Sequence, residues 1–298
     1  MRFFLLCEAI NFHQALRALV NRRCSAMQIK INEQNHTVEA NETAGAIRDR
    51  IKADADLIII NGFPAAAEKV LNNGDQVVLI RRGEVPGADE LDALLTARHT
   101  PGVHEAVKSA TIGIAGVGGL GSSVAVALAR TGVGHLIIAD FDVVEPSNLN
   151  RQQYFVDQIG LPKVYALRDT LARINPHVRV TACHLSLNPS NIGEVFGHAQ
   201  VLVEAFDLAD QKVMLIETFA ARFPDRPVVT GSGMAGFGPA NTIRTHQVAR
   251  NLYLCGDGTT AAAPGTGLMA PRVGVAAHHQ ANAVLRLLLG EAPEEELS

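Results

Sequence analysis

At 298 residues and 47% hydrophobic, the chain can bury a large core, and its length points to about two domains. A formal net charge of −4, from 26 Lys and Arg against 30 Asp and Glu, gives no general attraction to nucleic acid or to an anionic membrane surface. No apolar run is long enough to span a bilayer, so the composition favours a small-molecule or protein substrate.

Residues 1–26 read either as a short helix or as the product of a start codon placed too early. Met27 opens a regular strand, which favours the second reading. Phe3-Phe4-Leu5-Leu6-Cys7 is broken at once by Glu8 and lacks a small-residue cleavage site, so a secretion signal is not expected. Residues 27–83 predict a small α+β domain. Met27-Gln28-Ile29-Lys30-Ile31 alternates with period two, Glu33-Gln34-Asn35 supplies a turn, and His36-Thr37-Val38-Glu39-Ala40 completes a hairpin. Thr43 is placed to cap a helix through Ile51, and residues 57–62 and 76–80 are strands. Hairpin, helix, strand, strand is the order of a ubiquitin-like β-grasp.

Residues 84–89 form a linker. Leu91, Leu94 and Leu95 then mark a helix over 88–98, and a second short helix precedes the next strand.

The densest chemistry lies in residues 111–151. Thr111-Ile112-Gly113-Ile114-Ala115 is a buried strand, and Gly116-Val117-Gly118-Gly119-Leu120-Gly121-Ser122 turns tightly into a helix. The helix opening at Gly119 points free N–H groups and the positive end of its dipole at an anion, which makes Gly116, Gly118, Gly119, Leu120 and Gly121 phosphate-binding candidates. Asp140 closes the following strand about 20 residues further on, where a dinucleotide fold places its ribose-binding carboxylate. Up to this point an NAD oxidoreductase reads the same way.

The segment after Asp140 separates the readings. Phe141 to Gln152 carries Ser147-Asn148-Leu149-Asn150-Arg151-Gln152, and Gly160-Leu161-Pro162-Lys163 follows. Pro162 suits the first position of a helix whose buried face is Val164, Leu167, Leu171 and Ile174. Lys163 then sits in the first turn, where a cation opposes the helix dipole by about 0.3–1 kcal/mol and asks for an anionic partner. Alone it reads as well as a solvated lysine. With Arg151, beyond the same sheet edge as the glycines, it suggests two cations on a polyphosphate.

The α/β alternation continues with a strand over 178–182, a helix over 189–196 and an apolar strand over 200–206 ending in Asp207. Asp207 either points into the crevice at the strand carboxyl ends or caps the helix over 209–222. After a strand at 227–230, Gly231-Ser232-Gly233-Met234-Ala235-Gly236-Phe237-Gly238 reads equally as tight turns or as room for an extended peptide tail. Residues 254–267 form a long polar loop, and a last helix runs over 271–289 with His278 and His279 as packing or surface residues. Cys7, Cys24, Cys183 and Cys255 are isolated, so neither disulfides nor a structural zinc site is expected, and the expected compartment is the reducing cytoplasm.

The glycine turn, Asp140, the Ser147 to Gln152 block, Pro162-Lys163 and Ile174-Asn175-Pro176 together resemble the adenylation domain of the ubiquitin-activating enzyme superfamily over residues 88–290. Among bacterial members the chain is most similar to the ThiF family. The resemblance implies a Rossmann-like α/β domain with a mostly parallel sheet that adenylates the C-terminal glycine of the sulfur carrier ThiS in thiamine biosynthesis. It places ATP phosphates on residues 116–121, Asp140 on the ribose, and Asn148, Arg151 and Lys163 around the triphosphate. Asp207 is implied to hold Mg²⁺, with Arg151, Lys163 and Asp207 as the catalytic group. It also implies a homodimer, in which an N-terminal helix arginine reaches the partner's ATP; Arg98 is the nearest candidate.

Leu71-Asn72-Asn73-Gly74-Asp75 resembles ThiS itself, yet the chain runs on through Arg81-Arg82-Gly83-Glu84, so the module lacks the free Gly-Gly end of a working carrier. It reads as an appendage or dimer contact. Unlike longer relatives, the chain has no paired Cys-x-x-Cys motifs and no cysteine after Cys255, which leaves Cys255 a nucleophile without an identifiable activator. The expected layout is an extension (1–26), a β-grasp domain (27–83), linker and helices (84–110), an adenylation domain (111–290) and an acidic tail (291–298). Three alternatives stay open: adenylation of a molybdopterin carrier or a modified tRNA base, an NAD oxidoreductase, and a non-catalytic module whose carrier-like domain fills its own groove.

Overall fold

A computed structural model describes residues 26–294; nearly all of the N-terminal extension, with Cys7 and Cys24, and the last four tail residues lie outside the described residues. The chain divides into two compact units between Arg98 and His99.

In the first unit, β1 (Ala26–Ile31), β2 (Gln34–Glu39), α1 (Ala44–Ile51), β3 (Leu57–Ile60), β4 (Phe63–Pro64) and β5 (Gln76–Ile80) follow in order. They form a five-stranded sheet, β2-β1-β5-β3-β4, in which β1 and β5 are parallel. Alternate strand residues Ile29, Ile31, Val38, Ile58, Ile60, Val77 and Leu79 face Ile47 of α1 in one core. Thr43 caps α1 as expected, its Oγ1 accepting from the Ala46 N–H at 3.3 Å. The hairpin turn falls earlier than expected. Asn32 and Glu33 take positive φ values of 46° and 67°, while Gln34 and Asn35 already pair with Ile31 and Lys30. Such a tight turn matches strand twist better than a longer loop. The helix α2 (Ala88–His99) is tied to this unit through Glu90, whose Oε1 accepts from Asn32 Nδ2 at 2.7 Å and lies 3.9 Å from Lys52 Nζ.

The second unit runs through α3 (Pro101–Ser109), β6 (Thr111–Ala115), α4 (Gly119–Arg130), β7 (His135–Asp140), α5 (Lys163–Ile174), β8 (Arg179–His184), α6 (Ile192–Val195), β9 (Val201–Glu204), α7 (Ala209–Arg222), β10 (Val228–Gly231), β11 (Arg244–Ala249), β12 (Leu252–Gly256) and α8 (Ala270–Leu288). The seven-stranded sheet has the order β11-β12-β10-β9-β6-β7-β8 and is parallel except for the β11–β12 pair. Both faces are covered. Val124, Leu128, Val164, Leu167, Val273 and Val284 pack on one, and Phe196, Leu215 and Phe219 on the other against Ile137 and Leu202. The chain leaves β6 toward β7 and β8, then crosses back to β9 and β10. The crevice for a ligand therefore opens at the carboxyl ends of β6 and β9.

Several elements differ from the sequence reading, and the short strand β4 was not expected. The helix expected over 189–196 shortens to α6, and β9 stops at Glu204, short of Asp207. The hairpin β11–β12 was not expected, and it takes Leu254, Cys255 and Gly256 out of the loop. Its outer strand, Arg-Thr-His-Gln-Val-Ala, is polar and largely exposed, so it lacks the apolar alternation that marks a strand. Among the described residues no helix is long and apolar enough to cross a membrane.

Candidate functional site

The glycine turn divides its labour. Gly116 has a φ of 83°, and a Cβ there would lie 2.9 Å from the Ala205 carbonyl, so this glycine lets β6 end hard against the chain leaving β9. A Cβ on Gly121 would fall 1.9 Å from the Gly116 oxygen, so this one seats α4 on its strand. Gly118 is different: its nearest neighbour is Gln152 Nε2, 3.8 Å from the Cβ position. It is also the uncapped N-cap of α4. The free N–H groups of the first turn, from Gly118 to Gly121, thus have an open approach for an anion. Leu120 contributes only backbone, since its side chain is buried.

Asp140 sits at the end of β7 and is tied to this turn. Its Oδ2 accepts from Val117 N–H at 2.8 Å and its Oδ1 from Asp142 N–H at 2.9 Å. Asp142 in turn holds Lys163, its Oδ2 accepting from Nζ at 2.7 Å and its carbonyl from the Lys163 N–H at 2.9 Å. The Lys163 side chain is only 7% exposed. Lys163 opens α5 with Pro162 as N-cap, and the anionic partner that its place on the dipole demands is, within the chain, Asp142.

A short 3-10 turn, Pro146–Asn150, presents Arg151. Asn148 builds that turn: it is buried, its Oδ1 accepts from Glu145 N–H at 3.1 Å, and its carbonyl accepts from the N–H groups of Arg151 and Gln152. The Arg151 stem lies over Gly119, 3.5 Å from the Cβ position there, and its Nη1 donates to Asn150 Oδ1 at 2.8 Å. The next residues clamp onto the glycine turn. Gln153 N–H donates to Ser122 Oγ at 3.1 Å, and Tyr154 OH to the Val117 carbonyl at 2.8 Å. Burial, with the Asp140 and Asp142 charges, pushes the Tyr154 phenol up, so it stays a proton donor. The turn, Asp140, Arg151 and Lys163 are therefore joined by a continuous set of contacts.

Asp207 lies just beyond β9, exposed, with no hydrogen bond or ion pair among the described residues. The helix-capping alternative does not hold, because the N-cap of α7 is Leu208 and makes no side-chain bond. What shapes this loop is a pair the sequence reading missed. Glu204, fully buried, accepts from Lys212 Nζ at 3.0 and 2.9 Å, from Phe206 N–H at 2.6 Å and from Thr230 Oγ1. Opposite charges eight residues apart across a strand–helix junction were the available signal. Arg98 is exposed near the end of α2 in the other unit.

The glycines after β10 serve the chain itself. Gly233 and Gly236 have φ values of 77° and 74°, and a Cβ on Gly233 would lie 2.1 Å from Asp257 Oδ1. Residues 257–267 form a strap over this segment, with Gly236 N–H donating to the Gly267 carbonyl at 2.7 Å. Asp257 anchors the strap, accepting from the Thr259 and Thr260 N–H groups and from Arg272 Nη2 at 2.7 Å. Burial alone would raise the Asp257 carboxyl, but the bonds from Thr260, Thr259 and Arg272 together hold it well below the usual range. Of the two readings of this segment, the structure favours turns and close packing.

Cys255 is fully buried in β12, and burial pushes its thiol up to about 11 despite a contact with Thr245. It is a packing residue, not a nucleophile. His279 Nδ1 lies 3.1 Å from Thr245 Oγ1 and His278 is exposed, as packing and surface residues would be.

Residues 93–298 match the ThiF family, and residues 27–83 match the ThiS-like ubiquitin family. The molybdopterin-synthase adenylyltransferase of Escherichia coli K12 is 33% identical over 193 residues, covering 62% of this chain and 76% of that protein. The tRNA threonylcarbamoyladenosine dehydratase of Bacillus subtilis is 32% identical over 150 residues, or 48% of this chain and 58% of that one. Among solved structures, the E. coli tRNA N6-threonylcarbamoyladenosine dehydratase in complex with ATP superposes with a TM-score of 0.62 at 22% identity, over 70% of this chain and 98% of that one. That likeness is one of fold.

Proposed function

The chain belongs to the ThiF family, and from that premise we propose that it is an ATP-dependent adenylyltransferase that activates the C-terminal glycine of a ubiquitin-like sulfur carrier. The observation that carries this reading is the contact-linked set at one sheet edge: an open phosphate turn at Gly118, a ribose-class acid at Asp140, and two cations, Arg151 and Lys163. The diphosphate of a nicotinamide dinucleotide carries two negative charges against about four on the linear triphosphate of ATP, so two cations beside one phosphate turn suit ATP better.

In this mechanism the triphosphate lies on residues 116–121, with Asn148 holding the turn that aims Arg151. Asp140 keeps lone pairs free for the ribose hydroxyls after accepting its two backbone bonds. The carrier carboxylate is already ionised at neutral pH, so no general base is needed. Its oxygen bonds to the α-phosphorus as the bond to the α,β-bridging oxygen breaks, and pyrophosphate leaves with the electron pair. Arg151 and Lys163 stabilise the charge that develops. Asp142, half-exposed, neutralises the Lys163 ammonium until phosphate oxygens compete for it.

Asp207 fits a Mg²⁺ ligand. Its carboxylate is exposed and unpaired among the described residues, and no group of three or more His, Cys, Asp or Glu there can hold a metal by itself. That suits an ion that takes most of its ligands from phosphate and water, and when bound it would neutralise triphosphate charge.

The ThiS-like module on the same chain supports a ThiS-type carrier and a place in thiamine biosynthesis. A molybdopterin carrier is the second reading, favoured by the name of the 33% identical relative. We further take the enzyme to be a cytoplasmic homodimer, with Arg98 as the arginine offered to the partner's site; light scattering tests the first point. Exchange of pyrophosphate into ATP, stimulated by ThiS and not by the molybdopterin carrier, is the expected result. The reverse preference would reassign the substrate.

A further inference from the structure

We infer that Glu204 and Lys212 are positioning residues for the metal site: clamped together at the end of β9, they fix the backbone that carries Asp207 before Mg²⁺ and ATP arrive. The inference rests on the Asp207 reading above and adds to it the device that aims the carboxylate.

Glu204 is the last residue of β9 and is fully buried. Taking a charge out of water is costly, and a well-packed apolar pair is often at least as stable as a buried ion pair. Stability therefore gives no reason for an acid and a lysine here. The pair is nonetheless fully engaged. Lys212 Nζ directs its three protons at Glu204 Oε1, Glu204 Oε2 and the Gly231 carbonyl, at 3.0, 2.9 and 2.9 Å, and its side chain is 19% exposed. Thr230 Oγ1 donates to the second carboxylate oxygen, and Gln280 Nε2 donates to the Glu204 carbonyl at 3.0 Å. Glu204 is thus held from α7, β10 and α8 at once.

The effect of that fixed acid lies two residues on. Its Oε1 accepts at 2.6 Å from the N–H of Phe206, the residue just before Asp207. The rest of the loop is pinned as well. Ala205 N–H donates to the Ala115 carbonyl at 2.9 Å, and the Leu208 carbonyl accepts from the Lys212 N–H at 3.1 Å. The Phe206 ring lies 3.0 Å from the Cβ position of Gly116, which sets this loop beside the phosphate turn. Between Phe206 and Leu208, both fixed, the Asp207 carboxylate is exposed and unpaired among the described residues. A metal ligand held in place beforehand needs no ordering when the ion arrives. Changing the groups that orient such a ligand typically weakens metal binding about 10- to 100-fold.

The test measures ATP binding to the full chain by calorimetry, in magnesium chloride and in EDTA. Glu204→Leu with Lys212→Met exchanges the pair for apolar groups and leaves no lone buried charge. Glu204→Gln keeps an acceptor for the Phe206 N–H, and Asp207→Asn removes the ligand itself. We expect the double variant to bind ATP in EDTA within about twofold of wild type, and in magnesium about 10- to 100-fold more weakly. Asp207→Asn should show the same selective loss, and Glu204→Gln should recover most of the affinity in magnesium. Wild-type affinity in magnesium for the double variant would overturn the inference and leave a packing role. Equal weakening in both buffers would also overturn it, as a general distortion of the site. Hydrogen exchange on the ligand-free wild-type chain needs no variant to fold: the Phe206 amide should exchange slowly, and free exchange there would overturn the inference too. If wild-type binding ignores Mg²⁺, or Asp207→Asn responds to it as wild type does, the Asp207 reading itself fails. That result appears in proteins whose pair is intact, so the two failures are distinct.

Discussion

Replacing Lys163 by methionine removes one positive charge and keeps most of the buried stem. Its side chain is 7% exposed, whereas Asp142 is 47% exposed and rehydrates easily when its partner goes. The ion pair therefore contributes little to stability, about 1 kcal/mol or less, or a melting shift of about 2–4 °C for a domain of this size. In the reaction the same ammonium faces charge developing on the triphosphate, and losing one preorganised donor lowers a rate about 100- to 1,000-fold. The two scales separate cleanly when Asp142→Asn is made beside it, because that change breaks the same pair and leaves the ammonium in place. Lys163→Met should lose about 100- to 1,000-fold in carrier-dependent exchange of pyrophosphate into ATP, while Asp142→Asn stays within about tenfold of wild type. Lys163→Met should melt within a few degrees of wild type, and Asp142→Asn, which leaves the buried ammonium with only an amide oxygen, should lose more stability than that. Equal losses in the two variants would make Lys163 a scaffold for Asp142, and near-normal exchange in Lys163→Met would remove it from the mechanism.

Arg151→Ala should fall in the same 100- to 1,000-fold range without unfolding the chain, which far-UV circular dichroism and exchange assays check together. Cys255→Ala should exchange pyrophosphate normally, and alkylating reagents should leave Cys255 untouched in the folded protein. With its thiol pushed up to about 11, only about one molecule in a thousand is thiolate at pH 8. Asp257→Asn should cost roughly 1.5–3 kcal/mol at pH 7 by weakening the charged bond to Arg272. Folding holds the Asp257 carboxyl below its ordinary value of 3.8, so this contribution is complete well above that value and disappears as pH falls through the depressed one. The gap between wild-type and variant melts should narrow in acid; a gap that widens there contradicts the assignment. Deleting residues 27–83 should leave exchange unchanged if the β-grasp module is an appendage, whereas a several-fold rise would show that it occupies the substrate groove.

Much of the fold was legible because its signals are local. Period-two alternation over residues 27–31, the Thr43 cap and the glycine turn at 116–121 each name their element without reference to the rest of the chain. The helix over residues 209–222 was readable for the same reason. What stayed hidden depends on partners distant in sequence. The β11–β12 hairpin is a strand pair only because β12 lies beside β10, and nothing in Arg244-Thr245-His246-Gln247 announces that. Glycine density at residues 231–238 indicated close approach but not by what, and the strap anchored at Asp257 and Arg272 supplies the answer from further along the chain. In the site, Asp140, Arg151 and Lys163 were visible as residue types at telling positions. The roles of Asp142 and of Glu204 with Lys212 follow only from who is paired with whom once the chain is folded.

The account stands most directly on whether the chain reverses its own proposed chemistry. Labelled pyrophosphate added with ATP, the protein and a diglycine-tailed sulfur carrier should enter ATP, and should cease to do so when the carrier's terminal carboxylate is amidated. No label in ATP with any such carrier, together with tight binding of reduced nicotinamide dinucleotide, would contradict it.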